Sequence, residues 1–306
     1  MNDRTLLAGD RPMVFAGSPL DRGDALRRDE DRVSALMDGD EGWWMILADG
    51  EALLQPDGNL FWFHPSEARA LDLMPTRIFL GHYRGSPCFA AQLTEEAPVP
   101  DGVEPVDPRR AAMGMSPDEA ALYGYARSIL LWHEHHRFCA NCGTATTVKG
   151  GGTRRQCPGC HKEHFPRVDP VVIMLATNGD ECLLGRQSSW PEGMWSALAG
   201  FTEPGETLEE ACARELNEEA GVTADIPAIR YVMGQPWPFP SSLMIGLVAP
   251  VSDATITVDT HELESARWFH RDEVAAMLAG THPEAAMPPS IAIARRLAEL
   301  WVAGRI

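Results

Sequence analysis

The chain has 306 residues, 44% of them apolar and 23% charged, so it can bury real cores and divides by length into two or three domains; disordered, collagen-like and low-complexity classes are excluded. With 26 Lys and Arg against 44 Asp and Glu, the net charge is −18, which repels nucleic acid and anionic membrane over most of the surface. A phosphate ligand would need metal cations or a local basic pocket to overcome that repulsion.

Residues 1–40 are charged, with weak periodicity, and the opening MNDRTLLAGDRP lacks an apolar core of signal-peptide length. From Trp43 the runs WWMIL, ALLQ, NLFWF, RIFLGHY and CFAAQL, broken at Asp57-Gly58 and Gly85-Ser86, predict an antiparallel sheet. The Pro- and acid-rich stretch 95–110 is a connector. Ser116-Pro117-Asp118-Glu119 is a helix start, with Ser as cap, Pro at the first helical position and Glu three after the cap. AALYGYARSILLWHEHH continues it at helical spacing. After Pro166, VVIMLAT and CLLGRQ predict a hairpin about Asn178-Gly179, followed by a short strand SALAGF and a helix near 207–220. RYVMG, SLMIGLVAPV and TITV are strands, RDEVAAML a short helix, and IAIARRLAELWVAG a closing helix capped by Ser290. The expected domains are a β-rich 1–115, a helix with a metal knot at 116–166, and an alternating strand–helix domain at 167–306. The longest aliphatic run, VVIMLA, is far short of the roughly 18 residues that span a bilayer. Together with cysteine usage this predicts a cytoplasmic protein with no membrane partner.

Seven cysteines lie at 88, 139, 142, 157, 160, 182 and 212. Cys139-Ala-Asn-Cys142 and Cys157-Pro-Gly-Cys160 have fourteen residues between them, close to the spacing of a four-thiolate zinc ribbon. Each pair offers two thiolates to one tetrahedral ion, and the intervening stretch folds as a hairpin that joins them. Four protein ligands close the site, so this Zn²⁺ is expected to be structural. Gly150-Gly151-Gly152 falls at the hairpin tip. His133, His135, His136, His161 and His164 are read as partly solvated groups around the knot.

The segment from Gly200 to Val222 carries the chemistry. Thr207 and Glu210 make a capping box, and Gly221 supplies the left-handed stop. Leu208, Ala211, Cys212, Leu216 and Ala220 form the buried stripe, which leaves Glu215, Glu218 and Glu219 together on another face. Converging like charges destabilise an isolated helix and suit a hard divalent cation, Mg²⁺ or Mn²⁺. By spacing alone, a solvated acidic face is an equal alternative.

The segment matches the Nudix box, GX5EX7REUXEEXGU, at every specified position, and the chain resembles the Nudix hydrolases, which cleave a nucleoside diphosphate linked to another moiety with Mg²⁺ or Mn²⁺. The resemblance implies that Glu215, Glu218 and Glu219 hold the metals. It also implies that Arg214 and Glu206 orient the loop and helix, with Glu206 close to the metals.

Further along, Gly234-Gln235-Pro236-Trp237-Pro238-Phe239-Pro240-Ser241-Ser242 is a stiff loop whose two aromatics either offer flat faces to a base or pack as a buried corner. It is similar to the SQPWPFPxS motif of the NADH pyrophosphatase branch, with Gly234 replacing the leading serine. WHEHHRFCANCG, HFPRVDPVVIML and ARRL also look like that branch, and the likeness covers about 120–306. It implies a fold of α+β class: an α-β-α sandwich with a mixed sheet, preceded by a zinc ribbon and a β-rich domain. Substrate contacts implied by it run through Gln235, Pro236, Trp237, Pro238, Phe239, Pro240, Ser241 and Ser242. Phe165 and Phe201 are implied as a nicotinamide sandwich, and Ala294 as a pocket residue. Glu262 and the Ala199 carbonyl are implied to complete the metal shell. The expected activity is hydrolysis of NAD(H) to nicotinamide mononucleotide and AMP, with removal of 5′ NAD caps from RNA, by a homodimer. The alternatives are a Nudix hydrolase of ADP-ribose or diadenosine polyphosphates, and a noncatalytic nucleotide- or RNA-sensing protein.

Overall fold

A computed structural model describes residues 13–306. Backbone packing divides them into two units, one of residues 14–168 with 237–241, the other of 169–236 and 242–306 with Met13.

In the first unit the apolar runs form strands β1 Trp43–Ala48, β2 Glu51–Leu54, β3 Ile78–Tyr83, β4 Ser86–Gln92 and β5 Glu104–Val106, in the order β3-β4-β1-β2-β5. The sheet is mixed rather than antiparallel, because β1 runs parallel to β4 with Trp43 opposite Cys88. NLFWF forms no strand; Leu60 and Phe63 make only single bridges to Leu54 and Trp44. Around the sheet lie α1 Asp24–Arg27, α2 Glu30–Asp38, α3 Pro65–Arg69, α4 Pro108–Gly114 and α5 Pro117–His135. The expected start of α5 is present: the Ser116 hydroxyl accepts the Glu119 N–H at 3.3 Å and Glu119 accepts the Ser116 N–H at 3.1 Å. Its buried face, with Leu122, Tyr123, Ala126, Ile129 and Leu130, packs with Met45, Leu47, Ile78 and Leu80 of the sheet. Helix α5 therefore belongs with the N-terminal sheet, and no division falls at residue 115.

The cysteine knot adds β6 Thr147–Lys149, β7 Arg154–Gln156 and β8 Glu163–His164, paired in that order. Gly150, Gly151 and Gly152 turn the hairpin with φ of +58°, +61° and +100°, a backbone that side chains resist. A Cβ on Gly152 would also lie 2.5 Å from Ile78. The Gly152 carbonyl accepts Nε2–H of His133 at 2.8 Å, and Arg155 donates to Nδ1 at 3.0 Å. His133 is thus a neutral, fully buried link between α5 and the hairpin, against the expectation of partial solvation, and burial pushes its pKa down to about 4.

The second unit holds β9 Asp169–Asn178, β10 Glu181–Arg186, β11 Leu198–Phe201, β12 Arg230–Trp237, β13 Ser242–Pro250 and β14 Ser265–His270. Their order is β12-β13-β9-β10-β14, with β11 paired to β9. The VVIMLA run is continuous because both faces of β9 are covered. Val172, Met174 and Ala176 face α6, Leu208–Ala220, while Ile173 and Leu175 face α7, Arg271–Ala279, and α8, Ile293–Val302. This is the expected α-β-α sandwich: β13 runs parallel to β9, and β10 and β11 run antiparallel to it.

Two local expectations fail for tertiary reasons. TITV forms no strand; the Thr257 N–H instead donates to the Ala220 carbonyl at 2.7 Å, at the end of α6. Ser290 does not cap α8, which begins at Ile293. There the side-chain oxygen of Gln235 accepts the Ile293 N–H at 2.9 Å, and its amide donates to the Ile291 carbonyl at 2.7 Å. Gln235 is fully buried, so a side chain on β12 replaces the local cap. Gln235→Leu leaves two buried backbone groups unpaired, about 2 kcal/mol in all. We expect the thermal midpoint, followed by circular dichroism, to fall by roughly 4–8 °C; an unchanged midpoint contradicts the clamp.

Candidate active site

Helix α6 is set by its own ends. The Thr207 hydroxyl accepts the Glu210 N–H at 3.2 Å, Glu210 accepts the Thr207 N–H at 2.7 Å, and Gly221 closes the helix at φ +68°. The rotation fixed by Ala211, Cys212, Leu216 and Ala220 places Glu215 and Glu219 one turn apart at the edge of the core, only 8% and 5% exposed. Ligand atoms of Glu215, Glu219 and Glu262 lie within 4.8 Å of one another. Glu218, on the same turn, stands outside this group and is exposed.

Two neighbours aim the first carboxylate. A Cβ on Gly200, in β11, would sit 1.8 Å from the Glu215 carboxyl carbon, so the leading glycine of the motif is the space that Glu215 fills. Arg214 is the hub. Its Nε and Nη2 meet both oxygens of Glu206 at 2.6 and 3.0 Å, and its Nη1 reaches Glu215 and Glu218 at 2.8 Å each. Nη2 also donates to the Phe201 carbonyl at 2.8 Å, which ties β11 and the following loop to the helix. The pairing with Glu206 raises the Arg214 pKa and holds the Glu206 carboxyl below its usual range.

Glu219 has no such partner. Its Oε2 is buried without a hydrogen bond among the described residues. Burial, then the charges of Glu215, Glu262 and Glu218, push its pKa up to about 8. Burial likewise raises Glu215, against the opposing pull of Arg214. An orphaned buried oxygen, three converging carboxylates and an all-oxygen donor set fit a hard divalent cation.

The third carboxylate, Glu262, expected in the metal shell from the resemblance, arrives on a segment whose anchoring the sequence does not signal. The Asp259 N–H donates to the Glu219 carbonyl at 3.0 Å, beside the Thr257–Ala220 bond, so the last carbonyls of α6 anchor the chain. The Asp259 side chain accepts the His261 N–H at 2.9 Å, and its carbonyl accepts the N–H groups of Glu262 and Leu263 at 3.2 and 3.0 Å. Leu263, 4% exposed, locks the turn into the core. The alternation of TITV points instead to a strand, and nothing local marks the anchoring carbonyls.

In the first unit the four cysteines of the knot also lie within 4.8 Å of one another, with Cys139–Cys160 and Cys142–Cys157 sulfur separations of 3.6 and 3.4 Å. Four ligands at 2.3 Å on a tetrahedron stand about 3.8 Å apart, so the set fits zinc with little adjustment. Backbone N–H groups of Asn141 and Cys160 donate to Cys139 and Cys157 at 3.4 Å.

The remaining expected residues are scattered over both units. Ala199 pairs with Ile173 in the sheet, immediately before Gly200. Phe201, in the second unit, and Phe165, in the first, are 59% and 64% exposed. Ala294 is 2% exposed within the core. Gln235 is fully buried, and both ends of its amide serve the α8 clamp. Pro236 and Pro240 are exposed, Pro238 is buried, and Trp237, Phe239, Ser241 and Ser242 are half-buried. Trp237 and Phe239 pack edge-on against Phe15, with centroids 6.2 and 6.0 Å away, and the Arg109 guanidinium lies 4.3 Å above the Phe239 ring. Arg127 donates to the Pro238 carbonyl and Ser128 to that of Pro240 at 3.1 Å. The loop is thus a packed aromatic corner of the first unit.

Known families match along nearly the whole chain: a NADH pyrophosphatase-like rudimentary NUDIX domain at 41–132, a NADH pyrophosphatase zinc ribbon domain at 134–165, and a NUDIX domain at 166–288. The NAD-capped RNA hydrolase NudC of Stutzerimonas stutzeri is 38% identical over 87% of this chain and 91% of that protein. The human NAD-capped RNA hydrolase NUDT12 is 46% identical over 64% of this chain, which spans 44% of that protein's length. The human mitochondrial NAD(P)H pyrophosphatase NUDT13 is 40% identical over 64% of this chain and 59% of that protein.

A carboxyl whose pKa rises on folding favours the native state fully only below its unfolded value, and that contribution is lost as pH climbs through about 8. A cation binds the ionised form, so the gain in thermal midpoint from added Mg²⁺ should grow between about pH 5 and pH 8 and then level off. Glu219→Gln should remove most of that growth; a gain independent of pH contradicts the assignment. Asp259→Ala should weaken Mn²⁺ binding, measured by electron paramagnetic resonance, about tenfold. Asp259→Asn should restore it, because its side-chain oxygen accepts the same bond; equal loss in both variants contradicts the turn's role.

Proposed function

The chain belongs to the Nudix family, and from that premise we propose that it hydrolyses the pyrophosphate of NAD(H) to nicotinamide mononucleotide and AMP, and the same linkage in 5′ NAD caps of RNA. The observation that carries this reading is the converging triad of buried Glu215 and Glu219 with exposed Glu262, set by Gly200 and Arg214. The names of the relatives and the Gln-Pro-Trp-Pro-Phe-Pro loop support the choice of substrate. Glu215, Glu219 and Glu262, with Glu218 and the Ala199 carbonyl, would hold Mg²⁺ or Mn²⁺, and Cys139, Cys142, Cys157 and Cys160 would hold a structural Zn²⁺.

Hydrolysis adds one water across the P–O–P bridge and leaves two monophosphates. A divalent cation held by these carboxylates would supply charge neutralisation at the pyrophosphate and a lowered pKa for a bound water. Arg214 aims Glu215, Glu206 fixes Arg214, and Glu219 offers a carboxylate oxygen, unpartnered among the described residues, that can take up a proton. Phe165 and Phe201 each offer an exposed ring of the kind that stacks on a flat base, and the protein works in the cytoplasm as a homodimer.

The test is mass spectrometry of products from NADH, NAD⁺, an NAD-capped oligoribonucleotide, ADP-ribose and diadenosine tetraphosphate in oxygen-18 water. We expect nicotinamide mononucleotide and AMP, one of them carrying the label, and a 5′-monophosphate end from the capped RNA. Glu219→Gln should remain folded and lose about 10²–10⁴-fold in rate. Intact NADH and NAD⁺ with ample Mg²⁺ or Mn²⁺, or a fully active variant, would overturn the reading. Light scattering that shows only monomer would overturn the assembly.

A further inference from the structure

Charge along the chain is not uniform. Residues 134–168 carry Arg137, Lys149, Arg154, Arg155, Lys162 and Arg167 against Glu134 and Glu163, a net +4 that leaves −22 for the rest. A zinc ion on four thiolates lowers the +4 to +2, still opposite in sign to the remainder.

Pairing shows where this positive charge remains available. Arg155 is buried on Thr146 and His133. Lys149 pairs with Glu30 at 2.6 Å and Arg154 with Glu163 at 2.7 Å. The other acid of the segment, Glu134, accepts the Gln92 amide at 3.1 Å. Arg137 and Lys162 are exposed, and neither has a carboxylate within ion-pair distance among the described residues. They flank the same cysteine knuckle. Arg137 lies two residues before Cys139, and the Lys162 amine donates to Asn141, between Cys139 and Cys142, at 2.9 Å. Between them in sequence Phe138 stands 63% exposed, its backbone bridged to Ala145. Exposed His161 lies beside Lys162.

Two cations without acid partners among the described residues, carried on the same cysteine knuckle as an open aromatic ring, match the chemistry of single-stranded nucleic acid: phosphates for the charges, a base face for the ring. We infer that the first knuckle of the zinc ribbon binds the RNA body of an NAD-capped transcript, Arg137 and Lys162 holding phosphates and Phe138 stacking a base. This rests on the decapping part of the proposed function. It also gives the ribbon a task separate from the pyrophosphate chemistry, since free NAD(H) has no RNA body to bind.

The experiment compares kcat/KM for NADH and for a 5′-NAD oligoribonucleotide across a salt series, with zinc content measured for every variant. Arg137→Glu/Lys162→Glu should lose about tenfold or more on the capped RNA and flatten its salt dependence by about 1.4 in log–log slope. Phe138→Ala should lose about fivefold or more on the same substrate. NADH turnover and zinc content should stay unchanged. Arg137→Gln/Lys162→Gln, a gentler change, should show a smaller loss with the same selectivity. Equal losses on both substrates, or none on capped RNA, would overturn the knuckle's role while leaving NADH hydrolysis intact. A wild-type protein that cleaves NADH but not capped RNA would remove the decapping reading and this inference together.

Discussion

The second unit is organised around an unfavourable arrangement: carboxylates of Glu215, Glu219 and Glu262 held within 4.8 Å of one another, two of them nearly buried, with only one of the three braced by an arginine among the described residues. Like charges in a low-dielectric site repel and lose solvation, so such a group persists only where the surrounding structure enforces it. Three devices do so here. The stripe of α6 fixes its rotation, Gly200 leaves room for one carboxylate, and the turn at Asp259 delivers another across the end of the helix. A cation that binds the ionised set turns this repulsion into affinity, which links the stability of the fold to the chemistry proposed for it.

Parts of this were legible because the signal is local. Thr207, Glu210 and Gly221 fix the ends of α6 by hydrogen bonds within a few residues, and the same logic found Ser116 and Glu119 at the start of α5. VVIMLA declared a strand, and the two cysteine pairs declared a metal knot. What was not legible depends on partners far away in sequence. The oxygen that caps α8 belongs to Gln235, 58 residues before Ile293. His133 is buried because Gly152 and Arg155 meet both its nitrogens. TITV alternates like a strand, yet its backbone is drawn to the carbonyls of α6. The parallel pairing of β1 with β4 has no mark in either strand.

The first unit shows how a small metal knot can be made part of a larger core. Its glycine tip closes on Ile78 and carries the carbonyl that holds His133, while Arg27 donates to the carbonyls of Leu80 and Gly151 at 3.0 and 3.3 Å. The hairpin is thereby fixed to the sheet, and the opposite end, with the cysteine knuckles, carries the exposed residues. Arg137 and Lys162, without carboxylate partners among the described residues, give this end a local positive charge within an acidic chain.

The central claim, that Glu219 is held protonated until a cation takes its place, is tested most directly by counting protons. Isothermal titration of Mg²⁺ into the zinc-loaded protein, in buffers of different ionisation enthalpy, gives the number released on binding. Near pH 7 the account predicts close to one proton per protein, falling toward none above about pH 10, because the pKa lies near 8. Binding at neutral pH that releases no proton would contradict it.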